Sequence, residues 1–181
     1  EVKKGGNIRV QRSKADSCSA HLGRQKGDKS MVNMGWCKSL HHLGNVIHEL
    51  GHVLGMSHEH KRLDGEHRVN GKGPYIKIHW SKVSDRWKSQ LSGDKKAYLG
   101  SRQLGYAPYD YDSILHYGSM NGTIQPTKKG AKIGQRSKIS KGDRAQILDM
   151  YQCKPRLQLL DIGNAHTCFM DCCGKEATGC S

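Results

Sequence analysis

The sequence lacks long apolar runs and is poor in acidic residues. Its 181 residues contain no apolar stretch longer than a few residues, whereas a transmembrane helix needs about 20. The 35% share of apolar residues and the 22 glycines allow one modest core, and only one residue is Phe. Sixteen acidic residues oppose 30 Lys and Arg, and the net charge of +14 favours anionic partners. No basic-aromatic motif of a nucleic-acid-binding module is present.

The sequence also lacks a C-x-x-C pair, a common spacing of cysteine zinc ligands. Seven cysteines are unusual for a reduced cytosol and predict disulfides in a secreted, extracellular protein, with free buried thiols as the alternative. Their odd number leaves at least one without an intrachain mate. Four crowd the tail 154–181, which is either an interaction or substrate-binding module or a clamp on the C-terminus. The cysteines are Cys18, Cys37, Cys153, Cys168, Cys172, Cys173 and Cys180.

Hydrophobic periodicity predicts two strands and one helix. Residues 7–12 alternate apolar and polar side chains, and residues 29–36 favour a second strand whose charged approach suits a sheet edge. Between residues 43 and 56, apolar side chains recur three and four positions apart, which is the period of a helix. Gly55 stands where a C-terminal glycine ends such a helix.

The second half of the chain predicts less regular structure. Residues 61–110 are polar and rich in Gly and Lys, so we expect mostly loop, with short helical turns near residues 80–91. The residues Ser140-Lys141-Gly142-Asp143 resemble a capping box. They predict a short helix that ends near Cys153.

One segment, residues 48–58, carries the pattern of a metal site. On a helix, His48 and His52 lie one above the other and can offer imidazole nitrogens to a single ion. Glu49 lies about 100° further around the helix axis, off the line of ligands. Gly55 can adopt a positive φ, which would turn the chain so that His58 returns as third ligand.

This ligand set predicts a catalytic zinc ion. Three neutral imidazoles leave one position open for water, which is typical of catalytic rather than structural zinc. Zinc lowers the pKa of that water, and Glu49 is placed to accept its proton during attack on a peptide carbonyl. The alternative is a histidine-rich helix whose imidazoles are solvated or satisfied in the core.

The eleven-residue signature, followed by Glu59-His60, resembles the metzincin zinc peptidases and, among them, the astacin family. The resemblance covers about residues 7–153, the expected catalytic domain 1–153, and leaves the tail 154–181 unmatched. It implies an α+β, two-lobed fold, with a twisted sheet and the zinc helix above the cleft and a largely irregular lobe below. The other stretches that carry it are residues 108–118, Ile133-Gly134-Gln135-Arg136 and the closing helix at 143–153.

The resemblance also implies a role for each site residue. His48, His52 and His58 bind zinc, and Glu49 is the general base. Tyr117 is an additional zinc ligand that swings away to hydrogen-bond the tetrahedral intermediate. The resemblance further implies that Glu59 is not a ligand but anchors structure near the mature N-terminus, and that Cys18 pairs with Cys37.

Two departures from the family pattern stand out. Leu115 replaces the methionine that forms the floor of the zinc site, and Met120 is not in register to substitute for it. The family also has a substantial stretch before the strand at residues 7–12, which includes the partner of Cys153. We therefore expect a separate N-terminal piece, either disulfide-linked through Cys153 or missing from this sequence.

For substrates, the resemblance implies an extended cleft in which a peptide pairs with the edge strand near residues 30–36. Protein substrates are expected, and the positive charge favours acidic or extracellular-matrix proteins. Arg136 or Lys128 would supply a cation for an acidic residue just after the scissile bond. Two alternatives remain, a zinc-bearing but inactive binding protein and a zinc hydrolase of a non-peptide amide or ester. The expected substrate contacts are Met31, Val32, Asn33 and Arg136.

Overall fold

The computed structural model describes residues 8–27, 29–93 and 107–151. The predictions for Cys153, for the tail 154–181 and for its cysteines lie outside the described residues. None of the described helices is long and apolar enough to cross a membrane. Strands and helices are both present, and the mixed α+β class predicted from the sequence is confirmed.

The described chain begins with a three-stranded sheet. Strand β1 (Ile8–Gln11) pairs in parallel with β3 (Ser30–Met34), and β2 (Cys18–Ala20) pairs antiparallel with the other side of β3. Both predicted strands are therefore present. A disulfide between Cys18 and Cys37, as the resemblance implies, joins β2 to the chain that follows β3.

The order of the strands corrects one prediction. Strand β3 was expected at the edge of the sheet, but among the described residues it is the central strand of the order β1-β3-β2. The antiparallel edge is β2, which has only three residues. A strand this short shows no alternation that a sequence pattern can detect.

Helix α1 (Leu43–Val53) packs against β2 and β3. It ends as predicted at Gly55, whose φ is +98°. The N–H of Gly55 donates to the carbonyl of His52 at 2.8 Å, and the N–H of Met56 donates to that of Gly51 at 3.0 Å. This pair of bonds is a Schellman motif, which closes the helix and turns the chain sharply.

Residues 59–93 contain more regular structure than expected. The predicted turns near residues 80–91 are confirmed as a 3-10 turn, Trp80–Lys82, and helix α3 (Asp85–Leu91). Not expected were the short helix α2 (Leu63–Glu66) and strand β4 (Ile76–Ile78). Strand β4 pairs antiparallel with β5 (Ile124–Pro126), and a buried cluster forms around this pair. Its buried members are Ile76, Ile78, Leu91, Tyr109 and Ile124.

Helix α4 (Lys141–Met150) closes the described chain. The predicted capping box is confirmed: the Asp143 N–H donates to Ser140 Oγ at 2.9 Å, and the Ser140 N–H donates to Asp143 Oδ2 at 3.0 Å. Ile147 and Met150 of this helix pack on a second buried cluster that lies under α1. Its buried members are Met56, Ile114 and Leu115.

Candidate metal centre and active site

Three histidine side chains converge on one point beside helix α1. The Nε2 atoms of His48 and His52 lie 3.1 Å apart, those of His52 and His58 3.1 Å, and those of His48 and His58 3.2 Å. Helix α1 supplies the first two at i and i+4, and the turn at Gly55 brings the third back to them. The structure therefore brings together all three residues that the sequence predicted as ligands.

Carbonyl oxygens fix the tautomers of two of these rings. His48 Nδ1 donates to the carbonyl of Ile114 at 2.7 Å, and His52 Nδ1 donates to that of Met56 at 2.7 Å. Since each Nδ1 carries the proton, each Nε2 presents a lone pair to the other. Lone pairs at 3.1 Å repel unless a cation lies between them.

The nitrogen spacing fits a zinc ion. Zn–N bonds of roughly 2.0–2.1 Å in a tetrahedral site separate the nitrogens by about 3.3–3.4 Å. The observed 3.1–3.2 Å is close to this value. Burial lowers the pKa of His48 to about 3 and lowers those of His52 and His58 as well, so all three imidazoles are neutral, as metal binding requires.

The turn that contains Ile114 is held in place by helix α4. Asp143 Oδ2 accepts the Ile114 N–H at 2.9 Å, and Asp143 Oδ1 accepts the hydroxyl of Ser113 at 2.6 Å. Asp143 of the α4 capping box thus fixes the segment whose carbonyl orients His48. The orientation of a ligand by a second layer of hydrogen bonds is a general feature of protein metal sites.

Leu115 is buried against the helix that carries His48 and His52. It is 1% exposed and packs directly on Gly51 of α1, where a Cβ atom would lie 2.9 Å from Leu115 Cδ2. Leu therefore occupies the position at which the resemblance places a methionine. Its branched end fits this close approach because residue 51 has no side chain.

Glu49 lies next to the candidate ligands but is not one of the three side chains that converge. Its side chain is buried, and its carboxylate accepts a hydrogen bond from the backbone N–H of Ala20 on the edge strand β2. Burial raises the pKa of Glu49 to about 7, and the charge of Arg136 opposes that rise. A carboxyl group with a pKa near neutrality is suited to general base catalysis.

The Tyr117 ring lies against the third ligand. Its centroid is 4.4 Å from that of His58, with the planes at 61°, and 4.3 Å from that of His60. Burial raises the pKa of the Tyr117 phenol, which the charge of Arg136 lowers and that of Glu49 raises further. The phenol, the carboxyl group and the guanidinium therefore interact electrostatically in one site.

Arg136 is fixed at the border of this site by the main chain. Its Nη1 donates to the carbonyl of His116 at 3.0 Å and to that of Gln135 at 2.7 Å. The side chain is half-buried and interacts with both Glu49 and Tyr117. By contrast Lys128, the other cation considered, is exposed.

The other expected substrate contacts are not at a free edge. Val32 and Asn33 of β3 are each 1% exposed, and the Met31 carbonyl accepts the His21 N–H at 3.0 Å. The Asn33 amide holds the preceding loop, donating to the carbonyls of Lys14 and Ser17 at 2.8 and 2.7 Å. Because their main chain pairs with strands on both sides, Met31, Val32 and Asn33 cannot form the edge expected of them.

Sequence reasoning missed a buried ionic cluster beside the metal centre. Arg62 makes a forked pair with Asp64, both contacts at 3.0 Å, and a 3.2 Å contact with Glu59. Glu59 also accepts the Asp110 N–H at 2.9 Å, which joins it to the segment that leads to Tyr117. The available signal was the sequence Arg-x-Asp directly after Glu59-His60-Lys61. The expected contact of Glu59 with the N-terminus stays a prediction.

Comparisons with known proteins agree with this geometry. The family model of Astacin, which describes a peptidase family, matches residues 2–152. The chain belongs to the astacin family. Its fold is similar to that of high choriolytic enzyme 1, a hatching enzyme zinc-protease from Oryzias latipes. The TM-score is 0.67 at 25% sequence identity, and the match covers 85% of this chain and 72% of the other.

This astacin-family chain is also similar to two longer curated relatives. It is 34% identical over 143 residues to nematocyst expressed protein 6 of Nematostella vectensis, and the match covers 75% of this chain and 46% of that protein. It is 36% identical over 144 residues to zinc metalloproteinase nas-13 of Caenorhabditis elegans, covering 76% and 29%. The chain thus spans less than half of either relative.

Substitutions at Leu115 give a direct test of the metal centre. We expect Leu115→Met to leave turnover and zinc content nearly unchanged, because the two side chains have similar volumes and such exchanges cost less than about 1.5 kcal/mol. Leu115→Ala should instead lower the free energy of unfolding by about 2–5 kcal/mol through the cavity under Gly51. Turnover, bound zinc and thermal unfolding measure these effects. A gain of orders of magnitude in Leu115→Met would show that the thioether matters.

Proposed function

We propose that this chain is the catalytic domain of a secreted, zinc-dependent endopeptidase. The observation that supports it best is the convergence of three Nε2 atoms at 3.1–3.2 Å beside a buried carboxyl group that is not one of them. Zinc ligands and an adjacent base are the components of metal-assisted hydrolysis. The zinc-protease names of the relatives support the same reaction.

In this proposal each residue has one task. Zinc held by His48, His52 and His58 would polarise the substrate carbonyl and acidify water. Glu49 accepts the proton of the attacking water at its carboxylate and passes it to the leaving amine. The Tyr117 hydroxyl would be a further ligand for the ion at rest and would donate a hydrogen bond to the tetrahedral intermediate during reaction.

The substrate would bind as an extended strand along β2. Among the described residues, β2 is the edge strand that pairs antiparallel with β3. Its Ala20 N–H donates a hydrogen bond to the carboxylate of Glu49. A peptide that adds to such an edge gains main-chain hydrogen bonds whatever its sequence. Its scissile bond would then lie beside both the base and the imidazoles.

Location and partners follow from covalent and charge features. The Cys18–Cys37 disulfide supports an oxidising, extracellular compartment. The net charge of +14 would attract acidic proteins and matrix polyanions. A disulfide-linked piece at Cys153 stays a prediction, since that residue lies outside the described ones. The inactive binding module is the alternative function, and the presence of Glu49 argues against it.

The assigned base is tested by Glu49→Gln. We expect kcat on a protein substrate to fall by roughly 10²–10⁴-fold, since a general base contributes that much, while zinc content stays the same. Glu66→Gln is the matched control, because Gln keeps the acceptor that Trp80 Nε1 uses there. A Glu49→Gln variant that binds zinc and cuts equally well would remove Glu49 from the mechanism. Loss of cleavage on chelation would separate peptidase activity from a metal-independent contaminant.

The specificity assigned to Arg136 is tested with peptides that differ after the scissile bond. We expect wild-type protein to cleave before Asp about tenfold faster than before Ala, a difference equal to one charge-assisted contact. Arg136→Gln should abolish this preference, and Lys128→Gln at the exposed alternative should keep it. If a peptide library shows no enrichment of Asp or Glu at this position, neither cation selects the substrate.

A further inference from the structure

The zinc-binding and base roles do not explain His60, a buried histidine beside the site. His60 is 2% exposed, and its ring packs on that of Tyr117 in a tilted arrangement, with centroids 4.3 Å apart and planes at 31°. The His60 ring also lies near those of His58, at 5.4 Å and 30°, and His116, at 6.1 Å and 49°. Tyr117 therefore contacts both a proposed ligand and a histidine that is not a ligand.

The His60 ring is anchored by helix α3. Its Nε2 donates to the carbonyl of Gln90, in the last turn of α3, at 3.0 Å. Its Nδ1 is buried and has no hydrogen-bond partner among the described residues. A buried unpaired acceptor is unfavourable, so Nδ1 does not hold the ring in this position. The bond to Gln90 and the contact of the ring face with Tyr117 hold it.

We propose that His60 is a positioning residue for Tyr117. The His60 ring is fixed by the Gln90 carbonyl and packs on the Tyr117 ring. This contact restricts the Tyr117 ring to the orientations in which the phenol faces the zinc position and the scissile carbonyl. This inference rests on the proposed role of Tyr117. Small displacements of a reacting group lower the reaction rate. A contact that limits the rotation of the Tyr117 ring therefore raises the fraction of productive encounters.

The test compares His60 variants with and without the Tyr117 hydroxyl. His60→Ala should lower kcat about tenfold with little change in KM, and His60→Phe, which keeps a ring face, should recover most of it. In a Tyr117→Phe background, His60→Ala should have no further effect on kcat, because no hydroxyl remains to be positioned. Equal losses in both backgrounds would show that His60 only supports the fold, and would overturn the proposal.

A spectroscopic measurement gives a readout that does not depend on turnover. With Cu²⁺ in place of zinc, phenolate coordination produces a charge-transfer band that Tyr117→Phe abolishes. His60→Ala should weaken this band and His60→Phe should keep it. An unchanged band in His60→Ala overturns the proposal. If Tyr117→Phe leaves both band and kcat intact, the role of Tyr117 is wrong, whereas failure of the peptidase proposal itself shows in the Glu49→Gln variant.

A second, independent feature is the turn that carries the sequon Asn121-Gly122-Thr123. Met120, Asn121 and Gly122 have φ values of 48°, 54° and 77°, and Asn121 is exposed. The Thr123 N–H closes the turn on the Met120 carbonyl at 3.1 Å. Left-handed conformation is tolerated by Asn and Gly, so the sequon residues also stabilise the turn.

An open groove of about 350 Å³ begins at Asn121 itself. Trp87, Val83 and Met120 supply apolar walls, and Lys82 and Thr123 supply polar groups at the same groove. Trp87 remains 38% exposed. An aromatic face beside a few hydrogen-bonding groups suits a molecule with one apolar and several polar surfaces, such as a sugar ring.

We infer that Asn121 carries an N-linked glycan whose first sugar lies in this groove against Trp87. The Asn121 amide nitrogen bonds to the anomeric carbon of a lipid-diphosphate-linked oligosaccharide. The bond from that carbon to the diphosphate oxygen breaks, and the amide proton leaves to a base. The inference rests on the proposed secretion, because this donor is encountered in the secretory pathway.

The test expresses the chain behind a secretory leader in mammalian cells. Enzymatic removal of the glycan in heavy-oxygen water should label the Asn121 peptide, and Asn121→Gln should abolish the label. The paired substitutions Lys129→Asn and Ala131→Thr create the same triplet at another exposed turn as a control. An unmodified Asn121 in protein whose control site is modified overturns the inference, independently of any peptidase assay.

The groove contact is tested in the folded glycoprotein. Trp87→Ala should speed the enzymatic release of the Asn121 glycan several-fold, because the first sugar loses its aromatic wall. Trp80→Ala is the matched control, since Trp80 is also 38% exposed but does not line the groove. Equal release rates in wild type and Trp87→Ala would contradict the placement of the sugar.

Discussion

The hydrogen bond from His48 Nδ1 to the carbonyl of Ile114 is the interaction on which the site depends. It joins residues 66 positions apart at 2.7 Å and fixes both the tautomer and the orientation of the first imidazole. The Ile114 N–H in turn donates to Asp143, which belongs to the capping box of helix α4. The stability of that cap and the geometry of the metal centre are therefore two consequences of one carboxylate, which is 2% exposed.

Around this bond, the buried polar groups form a continuous network rather than isolated pairs. Glu59 and Arg62 connect the turn after the third ligand to the segment that precedes Tyr117. Arg136 connects the carbonyl of His116 to the charge of Glu49. Burying charged groups is unfavourable unless they are paired, and Arg62 is paired with both Glu59 and Asp64.

Local patterns in the sequence were sufficient for the features that depend on neighbours along the chain. Helix α1, its end at Gly55 and the capping box of α4 each follow from spacings within a few residues. The order of the strands did not follow, because β2 has three residues and its pairing with β3 is a long-range choice. The contact of Glu59 with Asp110 and that of His60 with Tyr117 likewise depend on how distant segments pack. Leu115 was identified as a departure, but only packing against Gly51 explains why it fits.

The central claim is that three imidazoles form a single zinc site. Those of His48 and His52 are hydrogen-bonded to backbone carbonyls, and that of His58 is brought to them by the turn at Gly55. Anomalous X-ray diffraction at the zinc absorption edge, on crystals of the purified chain, measures this most directly. We predict one strong peak about 2.0–2.1 Å from the Nε2 atoms of His48, His52 and His58, with the Glu49 carboxylate outside its coordination sphere. No peak between these rings, or a peak whose ligands include Glu49, would contradict the account.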